Sequence, residues 1–144
     1  MPTRRADLDH IGAYNFKVEI SGVNAGFFKR VSGLSAEIEV IEFQDGEDLL
    51  LRKRPGPARF GDVTLEKGYI ATDDLFNWWR AARDGQYDRR DISVVLNDNA
   101  GNEIRRWNLF GCWPRKWETG PLEGGSSEVF YENVTFVVED LQIA

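Results

Sequence analysis

The sequence predicts a mainly β fold: an antiparallel β-barrel or sandwich with one flanking α-helix (about residues 73–84) and an extended hairpin arm (about 44–60). Three observations predict it. Short stretches alternate apolar and polar residues between Gly, Asn and Pro turns, at the spacing of a sandwich or barrel. One stretch alone has the 3.6-residue period of a helix. Between Gln44 and Gly61 runs a segment whose charges and prolines fit neither pattern.

Residues 1–12 are polar and of mixed charge, and are read as an arm that orders only when something docks it. Tyr14, Phe16, Val18 and Ile20 alternate with Asn15, Lys17 and Glu19 as a half-buried strand. Turn residues from Ser21 to Gly26 precede a second strand beginning at Phe27. After Ser32-Gly33, Leu34, Ala36, Ile38 and Val40 alternate with Ser35, Glu37 and Glu39. The phase then flips at Val40-Ile41, which a β-bulge would explain.

Gln44 to Gly61 runs acidic (Asp45, Glu47, Asp48), apolar (Leu49, Leu50, Leu51), basic (Arg52, Lys53, Arg54) and then Pro55-Gly56-Pro57. The prolines forbid a central strand, and the run is long for a plain hairpin loop; a projecting hairpin arm fits. Val63 and Leu65 open a further strand closed by Lys67-Gly68.

The helix is the element that the sheet must support. Leu75, Trp78, Trp79 and Ala82 fall on one face, which Phe76 widens. Thr72 or Asp73 can cap its start, Arg80 and Arg83 suit its negative end, and Gly85 sits where a left-handed residue would end it. Such a helix is about 20 Å long and cannot leave two indoles in water. Beyond it, Ile92, Val94 and Leu96 form a strand, and Asn97 to Asn102 a hairpin turn. Ile104 to Phe110 returns, Trp113 to Trp117 starts a segment that Pro114 places at an edge or strand start, and Val129 to Val138 closes the sheet. The count is about seven strands in one domain, residues 1–144.

With 144 residues, 42% of them hydrophobic, the chain is long enough to bury about two-thirds of its extended surface. The net charge of −6 argues against a dedicated binder of nucleic acid or anionic membrane. The single cysteine, Cys112, permits no intramolecular disulfide, and with the single His10 it leaves no Cys/His zinc set or Cys–His and Ser–His pair. No apolar run reaches the length of a membrane span, and Arg4-Arg5 is followed by Asp7, Asp9 and His10 where a leader would be apolar. A soluble chain made without a cleaved leader is expected.

No phosphate loop or calcium loop has the required spacing, and no pair of carboxylates is singled out for glycoside chemistry. Arg105-Arg106-Trp107 and Trp113 to Trp117 mix cations with indoles, but the net charge favours indoles packed under the helix with cations directed outward. Cys112 reads as a small buried hydrophobe. Catalytic, cofactor and metal residues are therefore expected to be absent. The arm is different, because acidic and basic patches separated by exposed leucines can be neutralised and covered by the next copy of the same chain. That is a head-to-tail contact, which builds rings or open stacks.

Phe16, Gly22, Phe28, Val31-Ser32-Gly33-Leu34, Glu39, Asp45-Gly46, Lys53, Pro55-Gly56, Val63-Thr64-Leu65, Lys67-Gly68, Asp74 to Trp78, Asn97 to Glu103, Trp113-Pro114, Glu128-Val129 and Glu132, taken in order, resemble the inner tube (tail tube) protein of contractile phage tails and related contractile injection systems. The likeness covers nearly the whole chain; Cys112 departs from it, standing where a small residue such as Ala belongs, and residues 1–12 have no counterpart. It implies six copies per ring, rings stacked into a hollow tube assembled in the bacterial cytoplasm, a surrounding sheath, a baseplate and spike, and DNA or effector cargo in the lumen, with no cofactor. Glu47, Asp48, Leu50, Arg52, Lys53, Arg54 and Arg59 are the expected inter-ring contacts. The alternatives are a monomeric ligand-binding β-barrel and a carbohydrate-acting enzyme.

Overall fold

The computed structural model describes residues 16–21, 28–68, 73–86, 88–122, 124–125 and 131–144. The expected arm at 1–12, Tyr14, the turn at Gly22–Gly26, Phe27, Thr72 and Val129-Phe130 lie outside them. Strand-period stretches become β1 (Phe16–Ile20), β2 (Phe28–Ser32), β3 (Ala36–Phe43), β4 (Arg52–Phe60) and β5 (Val63–Gly68). Helix α1 (Asp74–Arg83) follows, then β6 (Arg90–Asn97), β7 (Glu103–Thr119), β8 (Tyr131–Val137) and β9 (Asp140–Ile143).

The main sheet is antiparallel in the order β1-β6-β7-β8-β5-β2, with β9 on β7. Its halves meet in β7: Glu103 to Cys112 pairs with β6, and Trp113 to Thr119 with β8. Val18, Ile20, Ile92, Val94 and Leu109 of one half share a core with Val63, Leu65, Val134 and Phe136 of the other, so the sheet folds over on itself as a sandwich. Among the described residues, β1 and β2 end the order without pairing with each other.

Four expectations change. Nine strands stand among the described residues instead of about seven. The expected break between Ile104–Phe110 and Trp113–Trp117 is a bend within one strand of 17 residues. Gly111, at φ +66, turns it, and Arg115 is an extra residue opposite β8, between Pro114 and Lys116. Pro114 is tolerated because this half of β7 pairs with β8 alone. The strand expected to be last, Val129 to Val138, is β8 in its described part, and a further strand, β9, follows it. In the arm, the ribbon β3–β4 is longer than 44–60, beginning at Ala36. Its bulge lies on β4, since Ile38 faces Ala58 while Val40 faces Pro55.

α1 packs on β7. Leu75 and Trp78 are buried; burying a side chain such as Leu75 stabilises by about 2 kcal/mol. The helix ends as a Schellman turn: the Gln86 amide donates to the Ala81 carbonyl and the Gly85 amide to Ala82, with Gly85 at φ +84. At the other end Asp73 occupies the cap position, but its side chain makes no capping hydrogen bond; its carbonyl accepts from the Asn77 amide instead.

Candidate subunit interface

The ribbon continues a hairpin that starts in the main sheet. Ser32 faces Thr64 on β2–β5, and four residues further along each strand Ala36 faces Phe60 on β3–β4. One register therefore runs through the joint at residues 33–35 and 61–63. The joint is tight: the Gly61 amide donates to the Ser35 carbonyl at 3.3 Å, and Phe60 and Leu34 pack on the core.

Among the described residues, the ribbon beyond the joint pairs only with itself. Alternation and register give it two unlike faces. One carries Ala36, Ile38, Val40, Pro55, Ala58 and Phe60, an apolar row that ends toward the tip in Glu42 opposite Lys53; Ile38 is 60% exposed and Val40 59%. The other carries Glu37, Glu39, Ile41, Phe43, Arg52, Arg54 and Arg59. There Arg59 donates to Glu39 at 3.1 Å, and the Arg54 guanidinium lies 5.9 Å from the Phe43 ring centre. A two-stranded ribbon is barely stable by itself in water, and exposed apolar rows are uncommon on subunits that act alone.

The tip is organised by Asp48. Its carboxylate accepts from Arg52 at 2.7 Å and from the Leu50 amide at 3.1 Å, its amide donates to Asp45, and its carbonyl accepts from Gln44. The Arg52 guanidinium, helped by the Leu50 amide, holds the Asp48 carboxyl below its ordinary range. Acidic and basic ends were expected to stay unneutralised along the segment; Asp48 and Arg52 correct this, because the loop curls far enough to join them four residues apart. Glu47, Lys53 and Arg54 form no ion pair with other described residues. Leu49 stands 95% exposed at the tip, with Leu50 and Leu51 beside it.

The helix is pinned by its aromatics. The Trp78 indole donates to the Asp88 carbonyl at 2.7 Å, lies 5.1 Å from Phe136 and has the Arg90 guanidinium 4.9 Å from its ring centre. Phe76 stacks on Trp79 and meets Trp117 edge-on at 5.0 Å. Trp79 donates at 3.3 Å to the carbonyl of Arg115, the extra residue in β7, so the bulge seats the helix. Ala82 is half-buried.

Chemistry has little to work with among the described residues. No group of three or more His, Cys, Asp or Glu could hold a metal ion. Cys112 is buried, and burial, with Asp91 nearby, pushes its thiol up to about 12. Arg106 is engaged by Glu103 and Glu19, and Arg105 lies over a half-buried Trp107, so these cations offer no open stacking platform. The space between the sheet halves is filled by Val63, Leu65, Ile92, Leu109, Val134 and Phe136, all fully buried, as a packed core rather than a ligand cavity. Sequence reasoning missed the apolar ribbon face and the fully buried Lys67.

A family model described as T4-like virus tail tube protein gp19 matches residues 12–142. No curated protein sequence matches the chain significantly. Among solved structures, the chain is similar to one in the PVC sheath–tube complex of an extracellular contractile injection system in its extended state, with TM-score 0.86, 23% identity and 99% of each chain covered. It is similar to one in the tube-terminating cap of the anti-feeding prophage, with TM-score 0.85, 25% identity, and 99% and 95% covered. Hcp1 from Flavobacterium johnsoniae shares the fold at TM-score 0.57 and 16% identity, with 91% and 95% covered.

Proposed function

Because this chain belongs to the T4-like virus tail tube protein family, and is a structural tube protein of contractile tails and injection systems, we propose that six copies close into a ring and that rings stack into a hollow conduit. The observation that carries the reading is the ribbon: a two-stranded arm outside the main sheet, with an exposed apolar row through Ile38 and Val40 and charges on both faces toward its tip. The fold does not need such a surface, and a neighbouring copy would cover it. Residues 1–144 act as one tail-tube-like domain.

In this assembly the ribbon reaches an adjacent ring. Glu47, Lys53 and Arg54 meet partners on the next copy, Leu50 is covered by it, and Asp48, Arg52 and Arg59 hold the arm in shape as well as lining the contact. A sheath surrounds the tube and a baseplate and spike close it, in line with the sheath–tube and baseplate assemblies in which similar chains are found. DNA or protein passes through the lumen without chemistry on the tube. Assembly takes place in the bacterial cytoplasm. No described helix is long and apolar enough to cross a membrane.

Negative-stain microscopy of the purified chain over a range of concentration and ionic strength tests this. Six-fold rings or tubes are expected; a lone particle under every condition, also failing to join sheath and baseplate, would overturn it.

A further inference from the structure

Lys67 has no exposed surface, and its ammonium nitrogen has no hydrogen-bond partner among the described residues. It shares the core-facing parity of β5 with Val63 and Leu65, both fully buried. Directly opposite on β8 stands Glu132, 6% exposed, on the core-facing row with Val134 and Phe136. Cross-strand neighbours have Cβ atoms about 5 Å apart, so the two side chains emerge side by side at the end of the core, without their charged groups closing an ion pair. The Glu132 carboxylate accepts from the Trp117 indole at 3.0 Å. A buried charge without compensation is costly, and in some proteins a buried polar or ionic pair is kept because it specifies one arrangement over others.

The arrangement at stake is strand register. A one-residue slip of β5 on β8 would turn the core row outward, so the apolar pattern forbids it. A two-residue slip keeps that row inward: in one direction Val63 would meet Val138 and Leu65 would meet Phe136, and in the other Val63 would meet Val134. What such a slip breaks is the polar row, setting Leu65 against Glu132 or Lys67 against Val134. On the outer face it also parts Thr64 and Thr135, whose hydroxyls lie 3.2 Å apart.

We propose that Lys67 and Glu132 are a buried register lock for β5 on β8, and that the lock sets the reach of the ribbon. β5 leaves the ribbon through Gly61 and Asp62, so a two-residue slip would move the ribbon root by about 7 Å. An arm displaced that far would miss its seat on a neighbouring copy. The lock acts within a lone subunit; only its consequence for stacking rests on the tube reading.

The test is a double-mutant cycle of Lys67→Met and Glu132→Gln, the glutamine keeping an acceptor for Trp117. Each single variant is expected to lower Tm by about 10 °C, because it leaves one buried charge opposite an uncharged partner. The double variant recovers most of that loss, yet its β5 and β8 amides exchange faster or give two sets of NMR resonances, and its tubes are short or absent. Additive single effects would overturn the pairing. A double variant that keeps one register and parental protection would overturn the lock. If a single variant fails to fold, the double variant still answers by its exchange and resonance count. Stability and register are read on the unassembled subunit, so failure of the lock is distinguishable from failure to form tubes.

Discussion

Gly33 lies so close to Asp62 that a Cβ on it would stand 2.1 Å from the Asp62 carbonyl oxygen, and its φ is +92. Two constraints thus meet where the ribbon leaves the sheet: a backbone conformation that favours glycine, and a contact with room for hydrogen alone.

Gly33→Ala should therefore cost about 3 kcal/mol, a Tm loss of about 10 °C, with faster amide exchange in β3 and β4. Gly124→Ala, where a Cβ meets nothing within 4 Å, is the control and should shift Tm by less than about 2 °C. Equal effects would mean that the joint is not a close-packed hinge point.

Trp78 anchors the helix through a buried ring and one hydrogen bond to Asp88. Trp78→Ala should cost about 3–5 kcal/mol, and Trp78→Phe about 2 kcal/mol, since the Asp88 carbonyl then loses its donor. Trp79 is only half-buried, so Trp79→Phe should cost under about 1 kcal/mol. Urea unfolding of the three variants checks the ranking; a Trp79 loss as large as that of Trp78→Ala would contradict it.

Asp48 has its carboxyl lowered by Arg52 and the Leu50 amide. A carboxyl lowered in the folded loop favours the ordered form above its unfolded value, about 3.9, and that preference fades as pH falls through the lower folded value. The Asp48 titration followed by NMR should have its midpoint below that of a free aspartate, and Arg52→Ala should return it toward normal. Both groups are at the surface, so Tm at pH 7 should hardly move in Asp48→Asn, while proteolysis at Leu49–Leu51 should quicken. An unshifted midpoint in the parent would show that the tip is not held by this pair.

How much of this was legible in the sequence depended on whether a pattern recorded burial. The helix was readable because Leu75 and Trp78 repeat at its period and Gly85 marks its end. The turn at Asn97–Asn102 was readable because Asp98 and Gly101 carry their own backbone chemistry: the Asp98 carboxylate accepts from the Ala100 and Asn102 amides. β4 was harder, since solvent on both sides imposes no alternation on Arg52 to Phe60, and Pro55 and Pro57 argue locally against a strand. β7 read as two segments because Gly111 and Pro114 break strands in general, whereas here they bend one. Ile38 and Val40 read as an alternating apolar row, and that row lies on a face that no described part of this subunit covers. Lys67 reads with Gly68 as the close of a strand, although its parity with Val63 and Leu65 places it in the core.

That uncovered face separates two kinds of contact. Ile38→Thr with Val40→Thr removes apolar surface but keeps strand-forming residues, so Tm should stay within about 2 °C of the parent. If a neighbouring copy covers this face, tubes should be lost at every salt concentration, because apolar contact is not screened. Lys53→Glu with Arg54→Glu should also leave the fold intact, since neither cation is ion-paired with a described residue. Its effect should instead depend on salt: at low ionic strength like charges would shorten the tubes, and at about 1 M, where the Debye length is about 3 Å, the difference from the parent should narrow. Tube length by negative-stain microscopy across that range reads both variants together. Normal tubes from the threonine pair would remove the apolar face from the contact, and normal tubes from the glutamate pair would remove the charges.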